Sequence, residues 1–165
     1  MAVGAIAASG GFSKKSSKTN AASVTQTRTP STATATTSTT APDTTASKDA
    51  VIATLHDYEN AYSAHDGAAL GNLFTADVFR HGLRGGGCAD TRGRQAVVNA
   101  YEEQFQAGTG TYRLTDLSRS AIEVTGDSAS INTGYTISSG SSGTISFELR
   151  DTNGRWLISR IVASC

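Results

Sequence analysis

The chain has 165 residues, which is enough for one domain and leaves little for a second. Its formal charge of zero is unevenly distributed: residues 1–47 carry four basic residues and one acidic residue, whereas residues 48–165 carry ten basic and thirteen acidic residues. The basic residues of the second part are scattered arginines, with Lys48 as its only lysine. They form no basic patch with interleaved aromatic residues, so the composition argues against a nucleic-acid binder.

The first 46 residues are predicted to form two segments in front of the folded domain. Residues 1–18 start with a small, apolar stretch that is too short to span a bilayer and lacks the positive leading region of a signal peptide. One interpretation is an export signal or membrane anchor whose front half is missing or has decayed, and the other is a flexible tail without function. Residues 19–46 are mostly Thr, Ser and Ala, which predicts a disordered linker that serves as a stalk. Residues 47–165 then form the domain.

Two cysteines, Cys88 and Cys165, are 77 positions apart and match no metal-binding spacing. They are either two unrelated thiols or one disulfide, and a disulfide requires an oxidising compartment. Together with the apolar segment, the disulfide interpretation favours an extracytoplasmic protein that is secreted or membrane-tethered.

Three amphipathic helices are predicted at the start of the domain. Ser47 is a suitable N-cap for the first helix. The buried face of this helix is predicted from a helical repeat of Val51, Leu55, Tyr58 and Tyr62. A short second helix is predicted over residues 68–74. Asp90 or Thr91 is predicted to cap a third helix over residues 93–106.

The remaining chain has the alternating pattern of β-strands. Strands are predicted over residues 78–83, 112–125, 129–137, 145–150 and 156–163. Asn153-Gly154 is a strong signal for a two-residue hairpin. Helices followed by an antiparallel meander predict an α+β domain in which three N-terminal helices pack on one face of a strongly curved, mostly antiparallel sheet.

Residues 49–162 resemble the nuclear transport factor 2-like, or SnoaL-like, superfamily in the order and spacing of five short motifs. These motifs are Tyr62-Ser-Ala-His-Asp66, Leu73-Phe-Thr-Ala-Asp77-Val78, Arg92-Gly-Arg-Gln-Ala-Val97, Gly126-Asp127-Ser-Ala129 and Gly154-Arg-Trp156-Leu-Ile158. The resemblance implies a cone-shaped pocket between the curved sheet and the helices. Members include ketosteroid isomerase, polyketide cyclases, dehydratases and many proteins without known catalysis, so the fold alone does not imply a function.

An isomerase-type site needs a carboxylate base and an oxyanion-stabilising pair of a tyrosine and a protonated aspartic acid. The resemblance places Tyr58, eight residues before Asp66, at the position of the isomerase tyrosine. Sixteen residues after Asp66 stands Gly82 instead of the carboxylate. The neighbouring His81 is a candidate base only if a bulge turns it inward, because adjacent strand residues point to opposite faces. Its alternative role is a half-buried strand histidine that bonds to Arg84 or a backbone carbonyl.

The side chains predicted to line the pocket are mostly aromatic. They are Tyr58, Tyr62, His81, Tyr101, Phe105 and Tyr135. The three histidines, His56, His65 and His81, share no face, so no metal site is predicted. The chain also lacks nucleotide-binding sequences, so no cofactor is predicted.

Two functional hypotheses follow. The first is a non-catalytic extracytoplasmic module whose pocket binds a small apolar or amphipathic ligand, or is filled by side chains, and whose open sheet face is used for homodimer or partner contacts. The alternative is a small cyclase, isomerase or dehydratase, in which His81 removes a proton next to a carbonyl and Tyr58 stabilises the oxyanion.

Overall fold

A computed structural model describes residues 44–165 of the chain. The predicted apolar segment and nearly all of the predicted linker lie outside the described residues. Within these residues the helices are α1 (Thr44–Ser63), α2 (Gly67–Asn72) and α3 (Arg94–Gln106), with a short 3₁₀ helix at Arg119–Ala121. The strands are β1 (Phe74–Arg84), β2 (Gly87–Arg92), β3 (Tyr112–Thr115), β4 (Ile122–Thr125), β5 (Ser128–Ile137), β6 (Ser142–Asp151) and β7 (Trp156–Ala163).

The three predicted helices are present with shifted ends, and α2 ends at Asn72 instead of the predicted Phe74, which begins β1. Helix α1 begins at Thr44, three residues before the predicted cap. The Asp66 side chain caps α2 by accepting a hydrogen bond of 2.8 Å from the backbone N–H of Ala69. The prediction that Asp90 or Thr91 caps α3 is wrong, because both residues belong to β2 and Gly93 stands at the N-cap.

The seven strands form one sheet in the order β2-β1-β7-β6-β5-β3, with β4 also paired to β5. All neighbouring strands are antiparallel except β1 and β7, which are parallel. The three helices pack on the curled sheet and bury one continuous apolar core between the two layers. The predicted α+β class with a mostly antiparallel sheet is therefore confirmed. No helix of residues 44–165 has the length and apolar character that a membrane crossing needs.

The predicted strand over residues 112–125 is in fact two strands. Asp116 has a positive φ of 62°, and the 3₁₀ turn follows shortly after it. The chain therefore leaves the sheet after β3 and returns as β4, and both pieces pair with successive parts of β5. By contrast, the Asn153-Gly154 hairpin is confirmed, because both residues have positive φ angles of 57° and 80° as a type I′ turn requires.

Candidate functional site

All five tyrosines of the chain line one cavity of about 210 Å³ between the helices and the concave face of the sheet. Tyr58 and Tyr62 lie one turn apart on α1, so the helical repeat directs both rings to the same side. Tyr101 faces them from α3, whereas Tyr112 and Tyr135 come from β3 and β5. Aliphatic side chains of β5, β6 and β7 complete the wall, namely Ile137, Ile145, Ile161 and Ala163.

Polar contacts between α1 and β3 fix the position of Tyr112. The backbone N–H of Tyr112 donates to Ser63 Oγ over 2.9 Å, and that hydroxyl donates back to the Tyr112 carbonyl over 3.1 Å. One turn earlier, the buried Glu59 accepts a hydrogen bond of 2.5 Å from the N–H of Leu114. These contacts stack the Tyr112 ring on Tyr135, with ring centres 5.4 Å apart.

The tyrosine hydroxyls lie in a polar but largely desolvated environment. Tyr58 and Tyr101 share a hydrogen bond of 2.9 Å between their hydroxyl oxygens. Burial raises the pKa of Tyr58 and that of Tyr112 well above the ordinary value, and it raises the pKa of Tyr62 to about 12. These three phenols therefore stay protonated at neutral pH and can donate hydrogen bonds. The Tyr112 hydroxyl is buried and has no hydrogen-bond partner among the described residues.

Arg80 is a cavity-lining residue that the sequence analysis did not identify. Its side chain is only 4% exposed, and its guanidinium lies over the Tyr101 ring, 4.7 Å from the ring centre. Nη2 donates a hydrogen bond of 3.2 Å to the Leu83 carbonyl, whereas Nη1 has no partner among the described residues. Arg80 also forms no ion pair with any described carboxylate. A strand alternation in which Val78, Arg80 and Gly82 face inward was the signal that could have revealed it.

His81 lies on the opposite face of β1 and does not line the cavity, contrary to the prediction. No bulge turns it inward, because its register with β2 and β7 is regular. Its Nδ1 instead pairs with Asp90 Oδ1 on β2 at 2.6 Å. His81 and the Tyr58 hydroxyl therefore do not converge on a common point, and the proposed base–oxyanion pair does not form in this structure.

Phe105 is the second predicted pocket residue that falls outside the cavity lining. It packs behind the wall, with its ring 5.2 Å from the Tyr62 ring and stacked on His65 at 4.9 Å. Phe105 lies one helical turn after Tyr101 on the same face of α3, with the ring centres 6.3 Å apart, and this last turn of α3 packs beside His65 at the end of α1. Phe105 therefore supports Tyr62 but does not face the open volume.

Cys88 and Cys165 form a disulfide with their Cα atoms 5.8 Å apart. The bond links Cys88 in β2 to Cys165, two residues after the end of β7, and lies beside His81 on the outer face of the sheet. The two sulfur atoms and a His81 ring nitrogen lie within 4.8 Å of one another. Within residues 44–165 this is the one cluster of three or more potential metal-ligand side chains. Because the sulfur atoms are bonded to each other, neither offers a thiolate to a metal ion.

The cavity combines one fixed positive charge with hydroxyl donors and apolar walls. Among the described residues, those that line the cavity include no carboxylate, histidine or cysteine side chain. Such a set can hold an amphipathic molecule by its polar end and cover the rest with aromatic and aliphatic surface. The exposed Leu83 and the turn between β5 and β6 lie at its rim.

Comparison with known proteins identifies a fold family. A family model described as a SnoaL-like domain matches residues 51–165. Among solved structures, a protein of unknown function from Mycobacterium tuberculosis is 22% identical, with a TM-score of 0.60 over 72% of this chain and 76% of that chain. A nuclear transport factor 2-like superfamily protein from Salmonella enterica serovar Typhimurium is 18% identical, with a TM-score of 0.58 over 73% and 92%. None of the curated proteins compared with the chain matches it significantly. At these identities the solved structures show a shared fold and no more.

Proposed function

We propose that this chain, which belongs to the SnoaL-like domain family, is a non-catalytic module that binds a small amphipathic molecule in its tyrosine-lined cavity. The observation that carries the proposal is the concentration of all five tyrosines, together with Arg80, around one open volume. A side-chain-filled core would need no such volume, because protein interiors are close-packed.

The chemistry of the wall supports binding. Phenol rings offer large apolar surfaces at low conformational cost, and their hydroxyls give a ligand a fixed orientation. The cavity of about 210 Å³ is smaller than the roughly 300–1,000 Å³ of pockets for drug-sized ligands. The proposed ligand is therefore a small molecule with one polar end.

Binding can be tested by isothermal titration calorimetry and saturation-transfer NMR with small aromatic and aliphatic amphiphiles such as benzyl alcohol, benzoate, hexanol and hexanoate. The Ala163→Phe variant fills the cavity, because Ala163 lies in its wall on β7. We expect saturable binding by the wild-type protein that becomes at least about tenfold weaker in this variant.

The matched control is Ala76→Phe, which adds the same ring at an exposed position of β1 outside the cavity. It should bind like the wild-type protein. Equal weakening in both variants, or no saturable binding to the wild-type protein by any of the four compounds, would contradict the proposal.

An extracytoplasmic location is part of the same proposal, and the disulfide supports it because such bonds persist in oxidising compartments. Thiol quantification on protein from its native source tests this point, since a reduced pair would contradict it.

The outer sheet face around Phe79, which lies between the Arg92 and Arg160 guanidinium groups, is the proposed surface for a second copy or a partner. Analytical ultracentrifugation of wild-type protein and Phe79→Ser tests that surface.

A further inference from the structure

The structure points to a small monocarboxylate as the ligand, with its carboxylate oxygens accepting hydrogen bonds from the Arg80 guanidinium. This inference deepens the proposed function and depends on it, because it assigns the polar end of the molecule in the same cavity.

The first argument is the unmatched charge of Arg80. An arginine side chain stays protonated in proteins, and a buried charge is normally paired. Here the Arg80 residue is only 4% exposed, its buried Nη1 has no partner, and no described carboxylate forms an ion pair with it. The Tyr101 ring stabilises the cation through its face and Nη2 donates to the Leu83 carbonyl, but the N–H donors of Nη1 are left without an acceptor. An anion from outside the chain would satisfy both the charge and those donors.

The second argument is that the backbone makes room for the guanidinium. A Cβ atom placed on Gly82 would lie 3.1 Å from Arg80 Nη2 and 3.2 Å from Cζ, which is tighter than ordinary van der Waals contact. The absence of a side chain at Gly82 thus allows Arg80 to fold along the inner face of β1 instead of extending to solvent. The carbonyl of Leu83 then holds Nη2 in place. The guanidinium is positioned before any ligand arrives.

The third argument concerns the type of anion. Arg80 is the only charged side chain among the cavity-lining residues of the described chain. A carboxylate carries one negative charge and fits the planar guanidinium fork, so one arginine neutralises it. A phosphate monoester carries about two negative charges at neutral pH and would retain one of them in a largely apolar cavity. The unpaired Tyr112 hydroxyl provides one further donor for an oxygen of the ligand.

Matched pairs of ligands test the inference on the whole chain. Benzoate is compared with benzamide, hexanoate with hexanol, and phenyl phosphate serves as the dianion. We expect each carboxylate to bind the wild-type protein about tenfold or more tightly than its neutral partner, because hydrogen bonds to charged groups are stronger than neutral ones. Phenyl phosphate should bind more weakly than benzoate.

Variants then assign the preference to Arg80. Arg80→Met should remove the advantage of the carboxylates over their neutral partners. Arg80→Lys keeps the charge but loses the planar fork, so it should retain part of the preference. Tyr112→Phe removes only a hydroxyl and should weaken carboxylate binding with the fold intact. It therefore serves as the second test if Arg80→Met does not fold, as judged by circular dichroism.

The outcomes separate this inference from the proposed function. If benzamide and hexanol bind the wild-type protein as tightly as the acids, or if phenyl phosphate binds more tightly than benzoate, the monocarboxylate inference is overturned and the ligand cavity stands. The inference is also overturned if the carboxylate preference survives unchanged in both Arg80→Met and Tyr112→Phe. If neither neutral nor anionic compounds bind, the proposed function itself fails.

Discussion

Removing the Cys88–Cys165 disulfide should cost the domain a large part of its stability. The bridge joins residues that are 77 positions apart and so restricts most of the domain in the unfolded state. In the chain-entropy model, a closed loop of this length lowers the entropy of the unfolded chain by about 15 cal/mol/K, which is about 4.5 kcal/mol at 25 °C. Single domains typically unfold with about 5–15 kcal/mol, so this loss amounts to about a third of the free energy of unfolding or more.

Urea unfolding measures this difference directly. Trp156 is the only tryptophan and is 5% exposed, so its fluorescence reports the loss of the core. The oxidised protein is compared with protein in reducing agent and with the Cys88→Ser/Cys165→Ser double variant, whose two positions are exposed. The reduced protein and the double variant should lose the same free energy of unfolding, and reducing agent should not affect the double variant. A loss below about 1 kcal/mol would refute the loop-entropy reasoning for this domain.

Three further predictions follow from single sites. Tyr62 has a pKa of about 12 in the fold against about 10 when unfolded, so its contribution to stability is complete below pH 10 and is lost as the pH rises toward 12. Ultraviolet titration of tyrosinate should therefore show ionisation above the ordinary range. Full ionisation of all tyrosines near pH 10 would contradict this prediction. Gly154 has a φ of +80°, so Gly154→Ala should lower the free energy of unfolding by about 1 kcal/mol or more, as measured by thermal unfolding. The control is Gly87→Ala, because Gly87 has no positive φ and open space around an added Cβ. This variant should change the free energy of unfolding by less than about 0.5 kcal/mol. The hydrogen bonds from Arg119 lower the pKa of Asp49, so Arg119→Gln should raise that pKa toward its ordinary value in an NMR titration, and an unchanged pKa would contradict the pairing.

The parts of the fold that the sequence predicted correctly depend on local chemistry. The repeat that ends in Tyr58 and Tyr62 fixes the buried face of α1 because a helix turns every 3.6 residues. The Asn153-Gly154 pair fixes a hairpin because both residues tolerate positive φ angles. In each case the chain specifies the geometry within a few residues, without reference to distant contacts.

The parts that it did not predict depend on distant pairing. Strand β2 is short, polar and glycine-containing, and it becomes a strand through its ladder with β1. Asp90 is a residue type that often caps helices, but in that ladder it lies opposite His81, and the two side chains form a hydrogen bond. The break at Asp116 did leave a sequence signal, because the polar residues Asp116, Ser118 and Ser120 interrupt the apolar alternation, but the predicted strand ran through it.

The candidate site was also predicted only in part: its tyrosines were predicted, whereas Arg80 was not. Periodicity predicted the inward faces that carry the tyrosines and the family resemblance implied a pocket there, whereas an arginine in an alternating strand is expected to face solvent. Its inward position depends on Gly82, which stands where the isomerase resemblance would put a carboxylate base. A carboxylate at that position would both fill the space that the guanidinium occupies and neutralise its charge. In this chain the glycine leaves room for the Arg80 guanidinium, and the proposed carboxylate preference depends on that cation.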